Sequence, residues 1–396
     1  MKDRKNLWIV TELFYPDEIS TAYIMTEIAK SMTKEYTVNV ICGNPNVKDR
    51  ISDEKLDDNI RIYRCGKSTT SGKNLFKRLW HMLVLTLGMV VLVCKKVKRD
   101  EKVLMVTNPL LLLLMMSVIS KFKRMHLYLL VHDIFPENAY AAGLFKSKNS
   151  VFYKLIKKIF NTAYNSVDEL IVLGRDMKEV VEQKVTSSMP VTIIENWADL
   201  QNIFPTDRNF SCLKPLEVQN KVIIQYAGNV GRVQGLKCFI ECLNEAGNDC
   251  IHFSIWGDGS YRKDLEHFVA ENRIQNVSFH GSYKRNQQCE ILNACHLALI
   301  SLSENMYGLG VPSKSYNIMA ANKPILYIGD TKSEIALTLK EHNIGFVINN
   351  KKEDIVSFLK KLSFDYLNSL NMNARDVAES MYSESIIMDK FLKILK

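Results

Sequence analysis

The chain has no paired CxxC, no zinc-type spacing of Cys and His, no Asp-x-Asp pair and no apolar run as long as the about 20 residues a bilayer crossing takes. Each absence excludes a class. The nine cysteines (Cys42, Cys65, Cys94, Cys212, Cys238, Cys242, Cys250, Cys289 and Cys295) predict neither a disulfide framework nor a structural zinc site. Cys238 and Cys242, four apart on an expected helix with Cys250 nearby, read as buried packing in preference to a soft-metal site. The opening residues carry no charged n-region, apolar h-region and cleavage site, so the expectation is a cytoplasmic protein with reduced thiols. Aromatic and basic residues do not interleave in an RNA-binding signature, which argues against a nucleic-acid partner.

At 396 residues the chain exceeds what one hydrophobic core usually organises, so two domains are expected. Its net charge of +9 is unevenly placed, because residues 61–160 hold 19 Lys and Arg against 4 Asp and Glu. Such a patch seeks an anionic bilayer or a phosphorylated substrate. Within it, KNLFKRLWHMLVLTLGMVVLVCKKVKR (73–99) has a 16-residue apolar core, 79–94, interrupted by His81 and Gly88. With Lys73, Lys77 and Arg78 at one end and Lys95, Lys96, Lys98 and Arg99 at the other, it predicts a helix lying near an anionic surface and not a span. A second apolar segment with a basic end follows at 109–124. The alternative for both is a core helix with solvated ends.

Short Val/Ile/Leu-rich runs alternate with helical-length segments: LWIVTE, YTVNVICG, IRIYRCG, KVLMVTNP, LYLLVHD and ELIVLG. That alternation predicts a parallel, doubly wound α/β sheet, whose ligands lie at the carboxyl ends of strands. Two such ends stand out. The first-strand loop offers Glu12, Tyr15, Asp17 and Ser20. The fifth strand ends in His132 and Asp133, which fit either a hydroxyl-orienting or proton-accepting pair, or a space-filling imidazole beside a capping carboxylate. After VTIIENWADLQNIFPT (191–206), the polar stretch 206–220 is the linker candidate. A second alternation follows: VIIQYAG, HFSIWG, VSFHG, HLALISLS and PILYI, with a helix after each of the first four. Residues 374–395 are helical in pattern.

The richest stretch is 296–328. A buried strand at 297–302 leads into a loop with Gly308 and Gly310 and then a helix expected to open at Pro312. Ser313, Lys314 and Asn317 fall on one side of its first turns, where amides, a hydroxyl and a cation can meet a phosphate. Two more strand ends carry glycines, YAGNVGRVQGL (226–236) and WGDGSYRKDLE (256–266), and Arg232 is the countercharge expected there.

Taken in order, YPDEIST, LVHDIFPE, IIENWAD, YAGNVGRVQGL, IWGDGSYRKDLE, VSFHGSYKRNQ, YGLGVPSKSYNIMAANKPIL and ARDVAES resemble a retaining glycosyltransferase of GT-B fold, family four. The likeness is greatest to members that build capsule, O-antigen or colanic-acid repeat units. It implies two Rossmann-like domains with an interdomain cleft, 1–205 for the acceptor and 206–377 for the nucleotide sugar, with a C-terminal helix, about 378–396, packing back on the first. It places Gly228 and Asn229 at the diphosphate, Gly257, Asp258 and Gly259 on the nucleoside side, Gly281, Ser282 and on to Lys284 near the base, Ser313 and Lys314 at the phosphate-facing helix start, and His132 with Asp133 near the transferred sugar. Many members carry two glutamates where this chain has Leu309 and Asn317, and an Arg and a Lys where it has Asn229 and Gln234. Asn317 can still bond a ribose hydroxyl, and Arg232 with Lys314 can supply charge. The function implied is metal-independent transfer of a sugar from a nucleotide diphosphate, UDP favoured, to a polyprenyl-diphosphate-linked saccharide at the inner face of the cell membrane, with no cofactor. A nucleotide-sugar epimerase and a catalytically silent scaffold subunit are the alternatives.

Overall fold

A computed structural model describes residues 4–45, 56–67, 75–206, 212–213, 220–370 and 372–396. Most of the expected linker, 206–220, and Lys73 at the basic edge of the apolar segment lie outside them. The chain divides into two units. One comprises 1–140, 145–195 and 388–396, the other 141–144 and 196–387.

The first unit is built on a seven-stranded parallel sheet ordered β3-β2-β1-β4-β5-β6-β7. Its strands are β1 (Asn6–Thr11), β2 (Thr37–Asn44), β3 (Ile60–Lys67), β4 (Lys102–Val106), β5 (His126–Val131), β6 (Glu169–Val172) and β7 (Val191–Ile193). Runs such as LWIV are apolar throughout because helices cover both faces, and Leu7, Ile9 and Val10 are fully buried. The helices are α1 (Ser20–Met32), α2 (Leu75–Lys96), α3 (Leu110–Lys123), α4 (Glu137–Ala141), α5 (Val151–Tyr164) and α6 (Arg175–Glu182). Strand order reverses between β1 and β4, so their carboxyl ends flank a crevice where ligands of such sheets bind.

α2 is longer than the 16-residue apolar core read from the sequence. Over Lys77–Lys96 it is long and apolar enough to cross a membrane, the one such helix among the described residues. It is built into the unit nonetheless. Leu85, Met89 and Val93 are fully buried, and at Gly88 a Cβ would stand 3.2 Å from the Cβ of Cys65 on β3.

The second unit has a six-stranded parallel sheet ordered β10-β9-β8-β11-β12-β13. It comprises β8 (Val222–Ala227), β9 (Ile251–Trp256), β10 (Val277–His280), β11 (Leu297–Ser301), β12 (Ile325–Ile328) and β13 (Gly345–Ile348). Its helices are α7 (Leu236–Ala246), α8 (Arg262–Glu271), α9 (Gln288–Asn293), α10 (Lys314–Ala320), α11 (Glu334–His342), α12 (Lys352–Lys361), α13 (Phe364–Asn368), α14 (Ala374–Met381) and α15 (Glu384–Leu395). Every residue of β8 is buried, and Phe239 of α7 meets Phe253 of β9 edge-on at 4.8 Å. Here the order reverses between β8 and β11, which places the crevice at the ends of YAG and LIS.

The helical pattern over 374–395 is two helices and not one. The chain breaks at Tyr382, whose carbonyl accepts the Ala198 N–H at 2.8 Å, and Ser383 bridges to Ala198. The last turns of α15 belong to the first unit, where Lys102 donates to the Leu395 carbonyl at 2.5 Å and Lys390 pairs with Glu195.

Candidate active site

In the second unit the crevice between β8 and β11 is organised by Lys314. It stands at the start of α10, which begins at Lys314 with Ser313 as its N-cap, two residues later than the expected opening at Pro312. Pro312 still shapes the entry, because its carbonyl accepts the Ser315 N–H at 3.1 Å and the Ser315 hydroxyl at 2.8 Å. The Lys314 ammonium lies over the Tyr226 ring, 3.5 Å from its centroid, and has no hydrogen-bond partner among the described residues. A buried, unpaired ammonium is costly, so desolvation pushes its pKa from 10.5 down to about 7. The ring face offsets part of that cost.

The loop after β8 makes room for that lysine. At Gly228, φ is +149° and a Cβ would lie 2.8 Å from Lys314 Nζ, so any larger residue would collide with the ammonium. Gly257, after β9, is equally constrained. Its φ is +122° and a Cβ would fall 2.0 Å from the Gly228 carbonyl oxygen. The two loops thus touch backbone to backbone, and the Gly228 and Val230 amides donate to the Trp256 and Asp258 carbonyls at 2.9 and 3.0 Å. The Gly228 amide is committed within the loops, and the crevice takes its charge from Lys314. The Tyr226 hydroxyl donates to the Asn229 carbonyl at 2.6 Å and fixes the loop from below. Burial pushes the Tyr226 phenol up, which keeps it a neutral donor.

The other expected residues of this unit divide. Gly308, with φ +65°, and Gly310 form the loop between β11 and α10 and enclose Leu309, which is buried. Arg232 is directed elsewhere. Its guanidinium lies 5.0 Å over Tyr261 and 3.4 Å from Asp264, and the side chain is exposed. Asn317 accepts the Asp199 N–H at 3.0 Å, and Asp199 in turn faces Arg285 at 3.3 Å. Asp258 is exposed and accepts the N–H of Gly259 at 2.7 Å. Gly281 and Ser282 are exposed past β10, where the Gly281 carbonyl accepts the Gly257 N–H at 3.1 Å.

Beside them is a feature that the sequence did not disclose. The Trp256 and His280 rings stack at 4.3 Å and 11°, with Tyr283 edge-on at 6.5 Å. The Trp256 indole N–H is buried and has no partner among the described residues. In sequence, Trp256 and His280 are 24 positions apart and each reads as a strand end. Only the pairing of β9 with β10 makes them neighbours. Tyr226 was missed for a like reason, since a tyrosine inside VIIQYA reads as core.

In the first unit, His132 and Asp133 follow β5, and both of their amides donate to the Thr107 hydroxyl at the end of β4, at 3.3 Å. His132 Nε2 is buried without a partner among the described residues, and burial pushes its pKa from 6.5 down to about 4, so the imidazole is neutral. The Asp133 carboxylate accepts from Asn138 at 2.6 Å. Burial pushes its pKa up, and the hydrogen bond from Asn138 offsets part of that rise. Glu137, four positions on, is a structural residue that pairs with buried Lys184 at 2.7 Å and anchors the segment. Glu12 and Asp17 of the first-strand loop are buried. Among the described residues no group of three or more His, Cys, Asp and Glu side chains is placed to hold a metal ion.

No family model matches the chain. It is 32% identical to the probable glycosyltransferase WbjE of Pseudomonas aeruginosa over 398 residues, covering 97% of this chain and 96% of that one. It is 21% identical over 343 residues to a chain named for colanic acid biosynthesis, the glycosyl transferase WcaI of Escherichia coli, covering 85% and 84%. Among solved structures, sucrose-phosphate synthase from Thermosynechococcus elongatus superposes with a TM-score of 0.77 at 12% identity, over 99% of this chain and 98% of that one. Anabaena Alr3699/HepE, in complex with UDP and glucose, gives 0.71 at 15%, over 99% of both. The two parallel sheets of seven and six strands are those of the GT-B fold.

Proposed function

The chain belongs to the glycosyltransferase family that includes WbjE, and from that premise we propose that it transfers a sugar, with retention at the anomeric carbon, from a nucleoside diphosphate donor to a polyprenyl-diphosphate-linked saccharide during surface polysaccharide synthesis. The observation that carries this reading is the buried, unpaired ammonium of Lys314 at the β8/β11 crevice. As the glycosidic bond breaks, negative charge grows on the departing diphosphate. A cation already desolvated and fixed against Tyr226 stabilises that charge without reorganising. Ser313 adds a hydroxyl at the same helix start.

UDP is the favoured donor nucleotide, in keeping with the UDP bound by HepE. The stacked Trp256 and His280, beside Gly257 and Gly281, offer a flat apolar wall with one buried N–H for the nucleoside end. The neutral imidazole of His132 suits hydrogen bonding to a sugar hydroxyl, with Thr107 holding it and Asp133 in place. The colanic acid role in the name of WcaI supports a surface-polysaccharide acceptor. A polyprenyl anchor puts that acceptor at the cytoplasmic face of the cell membrane, with the protein peripheral to it.

The test is a thermal-shift screen of UDP, GDP and dTDP and their sugars on the wild type and Lys314→Ala. Stabilisation by UDP in the wild type and its loss in the variant is the expected result. Equal stabilisation of both would refute the assignment of Lys314.

A further inference from the structure

The first unit carries an apolar surface that the transfer chemistry does not use. α2, α3 and α5 follow β3, β4 and β5, strands added in one direction across the sheet, so right-handed crossovers place all three helices on the same face. α3 packs between α2 and α5. Each helix turns one side to the core and shows a second apolar side to solvent. On α2 the outward stripe is Trp80, Val84, Leu87 and Val91, at the spacing of one helix face. On α3 it is Val118 and Phe122, the latter 84% exposed. On α5 it is Phe152, Leu155 and Ile159, with Phe152 64% exposed, next to a still more open Val151.

A solvated face would carry polar residues at these positions. The charge around the stripes is also of one sign, because none of the three helices contains an acidic residue. Lys77 and Arg78 lie in the first turn of α2 and Lys95 and Lys96 end it, Lys121 and Lys123 end α3, and Lys154 and Lys158 alternate with the apolar ridge of α5, whose Lys157 pairs with Glu137 at 3.4 Å. Apolar side chains bordered by lysines match the interface of an anionic bilayer, where the rings enter the acyl boundary and the ammonium groups meet phosphates.

We propose that the outward sides of α2, α3 and α5 form one docking surface for an anionic lipid bilayer, with the ridge of α5 seated in it alongside the stripe of α2. The proposal rests on the membrane-face reading of the acceptor given above, and adds α5, whose composition in sequence is that of an ordinary amphipathic helix. The surface engages lipid in its folded form, because Leu85, Met89 and Val93 keep α2 bound to the sheet.

Flotation of the full chain with vesicles of phosphatidylglycerol and phosphatidylethanolamine, against phosphatidylcholine alone, tests it. At 0.1 M salt the wild type should partition at least about tenfold more onto the anionic vesicles, and the excess should shrink in 0.5 M salt. Phe152→Asp with Leu155→Asp should abolish flotation at unchanged thermal stabilisation by UDP. Lys154→Glu with Lys158→Glu, which keeps the ridge, should remove the preference for anionic lipid. Flotation of the Phe152/Leu155 variant equal to wild type, or no flotation of the wild type with either vesicle, overturns the proposal. So does light scattering showing a wild-type dimer that the same variant dissociates, which would assign the face to a second copy. Absence of UDP stabilisation with vesicle binding intact would overturn the donor assignment and leave this surface standing.

Discussion

Lys314 ties electrostatics to function through its proton. Its pKa is about 7 when folded and 10.5 in the unfolded chain, so between those values the unfolded state binds more protons. This group therefore makes the unliganded protein more stable as pH rises from 7 toward 10.5. A diphosphate beside the ammonium favours the charged form and reverses the shift. Binding of UDP at pH 8 should then take up protons, measurable by calorimetry in buffers of different ionisation enthalpy, and Lys314→Met should abolish the uptake. With a competent donor and acceptor, Lys314→Ala should lower kcat by roughly 10²–10³, about 2.7–4 kcal/mol, the cost of removing one charge-stabilising donor. His132 works in the opposite pH range. Its folded pKa of about 4 against 6.5 unfolded means that stability is lost as pH falls through that window, by up to about 3 kcal/mol. His132→Gln should flatten the acid limb of a Tm-versus-pH curve.

At the scale of elements, the glycine loops after β8 and β9 can be told apart by mutation. At Gly257 the obstacle is backbone, the Gly228 carbonyl, and it cannot swing away. Gly257→Ala should cost at least about 2 kcal/mol of stability by urea denaturation. At Gly228 the obstacle is the far end of a flexible lysine, so Gly228→Ala should cost less stability and show itself as weaker UDP binding. Arg375, in the quoted ARDVAES, closes the other end of α10. Its guanidinium donates to the carbonyls of Ile203 and Ala320 at 2.6 and 2.8 Å, so Arg375→Ala strands acceptors at the helix terminus and should cost about 3 kcal/mol. Most elements were legible because most strands are short runs rich in Val, Ile and Leu that end at glycine or a polar pair. β13 was not, since four residues opening on a glycine carry little pattern. The start of α10 was read two residues early, because a proline fixes one φ angle and says nothing of where hydrogen bonding begins.

At the scale of the whole molecule, the chain ends in the unit where it began. Met388, Phe391 and Leu395 are buried, and the Leu395 carbonyl accepts from Lys102 and from Tyr36. Deleting 388–396 should lower the thermal midpoint of the first unit and expose Tyr36 to solvent, which near-ultraviolet circular dichroism would register. The sequence by itself determined the two α/β units, the parallel sheets and the strand ends where chemistry belongs, because burial on both faces writes itself as local apolar runs. It also determined that Lys314 follows a glycine loop and that residues 61–160 are basic. Only the tertiary structure decided that Lys314 is unpaired on Tyr226, that Arg232 turns to Asp264, that Asn317 is tied to Asp199, and that Trp256 stacks on His280. Those contacts join residues between about 24 and 118 positions apart, and their partners are set by strand order and loop approach, which no local pattern of side chains encodes.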